Sequence, residues 1–73
     1  MEIVDNKKLA LYVLSERKKK GISQEQLAWE SGLARGALQN IEKGRTPDPR
    51  LSTLRKLSKG LKVPLADLAK AVE

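Results

Sequence analysis

The densest hydrogen-bonding chemistry of this 73-residue chain lies in the stretch "GLARGALQNIEKG", Gly32 to Gly44. At 3.6 residues per turn, Ala37, Leu38 and Ile41 fall on one side of a helix, and Arg35, Gly36, Gln39, Asn40 and Lys43 on the other. The polar side has no aliphatic group to bury, and its long side chains all donate hydrogen bonds. An α-helix of this kind fits the DNA major groove. There a guanidinium such as that of Arg35 bonds guanine O6 and N7 together. The amides of Gln39 and Asn40 both give and accept, which suits the edge of adenine. Gly36 costs the helix up to ~1 kcal/mol relative to alanine, and close approach of helix to duplex is a reason to keep it.

Groups suited to phosphate surround that stretch. Ser23 and Gln24 open the preceding helix, whose free backbone amides form a neutral anion seat. Lys43, Arg45 and Thr46 lead out of the polar helix, and Arg50 follows two prolines. Contacts of this sort set orientation on a duplex, whereas contacts to bases set sequence preference.

Other chemistries find little support. The chain has no cysteine and no histidine, which removes disulfides and the usual zinc sites. No phosphate-binding loop or dinucleotide fingerprint occurs, and the carboxylates Glu25, Glu30, Glu42, Asp48 and Asp67 form no paired acid/base pattern. The expectation is a non-enzyme without metal or cofactor. The run "LALYVL" is too short for a membrane span, and "MEIVDNKK" lacks the features of a signal peptide. A cytoplasmic location follows as the default.

The net charge of +6 is unevenly placed. Residues 35–62 hold eight Lys/Arg against Glu42 and Asp48, while residues 23–34 are net acidic. A basic balance draws polyanions, nucleic acids and acidic membrane surfaces alike. The run "ERKKKG", Glu16 to Gly21, reads as a solvated helix end.

The elements that must carry these groups are all helical, in a single domain over 1–73. Glycines 21, 32 and 44, the "TPDP" of 46–49 and Pro64 separate five helical patterns, at about 6–20, 24–31, 35–43, 51–61 and 65–72. Asp5 or Asn6 is the expected cap of the first. "SQEQ" fits a capping box for the second, with Ser23 at the cap and Gln26 three residues on. Leu51, Leu54, Leu57 and Leu61 line the fourth. The second helix is too short to be stable alone, so packing must hold it rigidly against the third. Two short helices joined by a Gly-containing turn match the helix-turn-helix unit.

"ISQEQLAWESGLARGALQNIEKG" resembles the helix-turn-helix of the phage repressor/Cro-type (Xre-like) DNA-binding family, and "PRLSTLRKLSKGLKVPLADL" is similar to that family's fourth and fifth helices. The likeness covers about residues 7–69. It implies an all-α fold, a compact five-helix lambda-repressor-like domain with the helix-turn-helix at helices two and three. By position it implies DNA-facing roles for Gln24, Arg35, Gly36, Gln39 and Asn40, and backbone or minor-groove roles for Lys43, Arg45 and Arg50. It also implies an ion pair between Arg17 and Glu42, which would explain an arginine in line with Leu9 and Val13. Ala34 departs from the usual Ser/Thr cap of the reading helix and weakens its start by ~1 kcal/mol.

Two features stay open at this level. Trp29 points away from Leu27, Ala28 and Ser31, which suits either lying across a neighbouring surface near Tyr12 or touching a partner. Leu65, Leu68, Ala69 and Val72 of the fifth helix suit a homodimer surface, with packing onto helices one and four as the competing use. The functional expectation is sequence-specific binding of double-stranded DNA by a small, repressor-like transcriptional regulator, as a homodimer on a palindromic operator. The alternative is a protein-interaction module of the same fold, an antitoxin or coactivator-like adaptor using Trp29 and helix five.

Overall fold

The computed structural model describes residues 6–72, and within them it forms five α-helices: α1 Lys7–Lys19, α2 Gln24–Ser31, α3 Arg35–Glu42, α4 Leu51–Leu61 and α5 Leu65–Ala71. α2 packs on both α3 and α4, α1 crosses α3 and α5, and α5 closes over α1 and α4. One apolar cluster serves all five, built on Leu9, Val13, Leu27, Leu38, Ile41, Leu54, Leu57, Leu61 and Leu68. Since α2 and α3 are eight residues each, neither holds its shape alone. Their relative placement comes from this shared cluster.

The helix ends follow local chemistry, with exceptions. Gly32 and Gly44 adopt positive φ of 75° and 76°, which turns the chain sharply after α2 and after α3 at no steric cost. Ser23 caps α2 by accepting from the Gln26 N–H at 3.0 Å. Only half of the expected capping box forms, because the Gln26 amide donates instead to Glu30 one turn on. α1 is a residue shorter at each end than the sequence pattern suggests, with Asn6 and Lys20 in the cap positions. The Asn6 side chain caps nothing in its own helix. Asp5, the other expected cap, lies outside the described residues. α3 ends at Glu42 and α5 at Ala71, so Lys43 and Val72 are caps rather than helical residues.

Three apolar positions are corrected. Ala37 is exposed, because a two-turn helix lying on Leu38 and Ile41 buries only the stripe between those two. Leu51 opens α4, beyond the cluster that receives Leu54, Leu57 and Leu61, and is exposed. Leu68 is 0% exposed. α5 turns it into the cluster between α1 and α4, with Leu65 and Val72 half-buried beside it, so of the four expected dimer residues only Ala69 faces outward.

α2 and α4 meet closely at Gly60. A Cβ built there would lie 2.0 Å from Ser31 Oγ and 3.0 Å from Leu27 Cδ1. Ser31 is buried at the same crossing, and its hydroxyl has no hydrogen-bond partner among the described residues. Small residues on both helices therefore let the backbones approach, and this seats the first helix of the turn unit.

Candidate nucleic-acid interface

The outward side of α3 is open. Arg35, Gly36, Ala37, Asn40 and Lys43 are exposed and Gln39 is half-buried, while Leu38 and Ile41 hold the other side. Nothing lies within 4 Å of a Cβ placed on Gly36. The backbone there could approach a flat or grooved surface without interference from the protein itself. Ala34 occupies the cap position of α3 without a side-chain hydrogen bond, so packing must supply the order that a Ser or Thr cap would have added.

Much of that order comes from one carboxylate. Glu42, whose side chain is 4% exposed, accepts from Arg17 Nε at 2.7 Å and Arg17 Nη2 at 3.0 Å. The pair is bidentate, the strongest geometry available to these groups. Arg17 also donates through Nη1 to the carbonyl of Ile22. Glu42 takes a third bond, at 2.8 Å, from Nε2 of Gln24. One side chain of α3 thus grips the end of α1 and the start of α2, and Arg17, held by it, ties in the turn between them. Gln24 is the residue expected to face phosphate, and this bond fixes its amide beside the opening of α2 next to Ser23.

Glu25 has no place in the sequence-based interface, only in the survey of carboxylates. Its carboxylate lies 3.8 Å from Arg35 Nη1, with both side chains largely in solvent. The pair is too loose and too wet to contribute much energy, yet it places a negative charge beside the leading cation of α3. Its sequence signal was the Glu at the start of α2; the ten-residue separation from Arg35 hid the contact.

Beyond α3, the chain turns at Gly44 and runs through "RTPDPR" to α4. Arg45 and Arg50 are exposed and Thr46 half-buried. The Arg45 N–H donates to Asn40 O at 2.9 Å, and Gly44 N–H to Ile41 O at 3.0 Å. This closes the C-terminal end of α3, with Lys43 at its cap and Arg45 directly after the turn. On the far side of α2, Trp29 is 85% exposed. It lies across no neighbour, and the expected contact near Tyr12 does not form.

The described residues enclose no pocket, contain no group of three His, Cys, Asp or Glu able to hold a metal ion, and include no helix long and apolar enough to cross a membrane. The chemistry on offer is that of an open, cationic, amide-bearing helix face.

A helix-turn-helix family model matches residues 13–68, and the chain belongs to that family, in its Xre-like branch. Among its relatives is the HTH-type transcriptional regulator SlrR of Bacillus subtilis (strain 168), 44% identical over 52 residues, or 71% of this chain and 34% of that protein. The chain spans about a third of the length of that curated relative. Two solved structures are similar throughout the fold. The restriction-modification controller protein C.AhdI from Aeromonas hydrophila superposes with a TM-score of 0.79 at 32% identity, covering 85% of this chain and 92% of that one. The wild-type restriction-modification controller protein C.Esp1396I gives 0.76 at 27% identity, covering 90% and 83%.

Proposed function

We propose that this chain binds double-stranded DNA in a sequence-dependent manner and regulates transcription, with α3 laid in the major groove. The observation that carries this reading is the outward side of α3, bare of apolar cover and braced by the Arg17–Glu42–Gln24 network. Arg35, Gln39 and Asn40 read base edges, and Gly36 lets the helix backbone come near. The exposed methyl of Ala37 adds an apolar point suited to thymine. Ser23, Gln24, Lys43, Arg45, Thr46 and Arg50 hold the phosphates on either side. The regulator relative and the two controller proteins support a regulatory role; repressor-like action in the cytoplasm is part of the same proposal.

Two copies on a palindromic operator would place half-sites about 34 Å apart, one helical turn. With Leu68 committed to the core, such a pair uses the rim of α5 at Ala69 and the exposed edges of Leu65 and Val72. Selecting bound sites from a random duplex pool tests the reading, because it reports sequence, symmetry and spacing together. Arg35→Ala should erase preference at one base position, and affinity should fall steeply with salt. A pool that yields no enriched sequence refutes it.

The exposure of Trp29 favours a second reading, a protein-interaction module in which α2 meets a partner. A Trp29→Ala variant that keeps full duplex affinity and loses a purified protein partner would support it.

A further inference from the structure

We infer that Asn6 is a positioning residue for the duplex-facing loop after α3, an inference that rests on the DNA-binding reading above. Asparagine at a helix cap ordinarily turns its side chain back onto its own first turn. Asn6 sits at the cap of α1 and does not. It is 1% exposed, and its amide spends its two N–H groups elsewhere. Nδ2 donates to Thr46 O at 2.6 Å and to Pro47 O at 2.8 Å. Its backbone N–H donates to Gly44 O at 3.1 Å. One residue therefore holds three of the four carbonyls between 44 and 47.

The chemistry of the loop makes that hold consequential. Prolines at 47 and 49 have no N–H, so the loop cannot close on itself through regular backbone pairing. A buried primary amide is costly unless both its donors are used, and here both are used on the loop. Arg45 lies between the anchored carbonyls of Gly44 and Thr46, and its own N–H is taken by Asn40. Its peptide is pinned on both sides, so the exposed guanidinium explores only its own torsions. Asn6 touches no duplex. It acts through Arg45 and Thr46, by fixing where their side chains start.

A double-mutant cycle tests this, with duplex affinity measured at several salt concentrations on a site recovered from the random pool. Asn6→Ala and Arg45→Ala should each weaken binding about tenfold and each lower the slope of log affinity against log salt by about one. The two together should bind no worse than about the weaker single variant. Additive losses near a hundredfold, with the salt slope of Asn6→Ala unchanged, would overturn the inference by showing a role in stability alone. Should Asn6→Ala not fold, Asn6→Ser keeps one donor and should lie between wild type and Arg45→Ala in slope; a wild-type slope would again overturn it. Backbone ¹⁵N relaxation of the free protein separates this idea from the functional reading. Asn6→Ala or Asn6→Ser should loosen residues 45–48 while the helices stay rigid, whether or not any duplex binds. A loop as ordered as in the wild type sinks the inference even if DNA binding stands.

Discussion

Replacing Glu42 by alanine should be among the most damaging single changes available to this chain. The side chain accepts three hydrogen bonds, two from Arg17 and one from Gln24. With the carboxylate gone, Arg17, only 14% exposed, keeps the Ile22 carbonyl but loses its counter-charge. Breaking a buried pair from one side costs roughly 3–5 kcal/mol. A domain of this size has about 4–11 kcal/mol in total, at ~0.05–0.15 kcal/mol per residue. The loss therefore takes about a quarter of the stability or more. Urea unfolding followed by far-UV circular dichroism should show the midpoint falling by about 3 M or more at a slope near 1 kcal/mol/M, or no folded baseline at all. Arg17→Met combined with Glu42→Leu removes both charges and should recover most of the loss. That paired variant should still bind duplex more weakly, because Gln24 no longer has the acceptor that orients it. If Glu42→Ala lost less than ~1 kcal/mol, as an exposed surface pair would, the bracing role assigned to Glu42 would be wrong.

Gly36→Ala should raise stability by up to ~1 kcal/mol, since nothing surrounds that position, and should lower duplex affinity; a stabilised variant with unchanged affinity would remove the argument for close approach. Gly60→Ala should destabilise by ~1–3 kcal/mol through overpacking, because the new methyl meets Ser31 and Leu27. Adding Ser31→Ala should recover part of it by deleting an unpartnered hydroxyl, and a Gly60→Ala chain melting at or above the wild type would contradict the crossing. Glu16 is held below the usual carboxylate range first by the Lys19 hydrogen bond, against opposing burial, and then by the charges of Lys19 and Lys20. A depressed folded pKa stabilises the fold above the ordinary carboxylate range, and that contribution is lost as pH falls through the lowered value. Glu16→Gln should flatten this acid limb of a stability–pH curve, and an unchanged limb would show that other groups control it.

The helices were legible because their signals are local. Glycines 21, 32 and 44 all adopt positive φ, as a helix stop requires, and Leu38 with Ile41 marked the buried side of α3. The open polar side followed by elimination. What sequence could not show is which of several competing partners a polar group takes. Asn6 abandons its own helix for carbonyls 40 and 41 positions away, and Gln26 abandons the capping box for Glu30. The surplus of apolar residues on α5 was readable, but its use was not. Leu68 fits a dimer face and a core equally well by spacing, and only the way α5 folds back over α1 and α4 decides between them. That Trp29 points away from the packed side of α2 was readable, but not that it would find no cover: a large aromatic normally does, and here the adjoining helices lie on the opposite side of α2.

The solvation of Trp29 also has a spectroscopic corollary. It is the chain's single tryptophan, and at 85% exposure its indole meets nearly as much water in the native state as in a random coil. Its emission maximum should barely move on denaturation, which makes it a poor thermometer of folding. The same property makes it a quiet background for titrations, where a blue shift would report that something has come to rest on the outer side of α2.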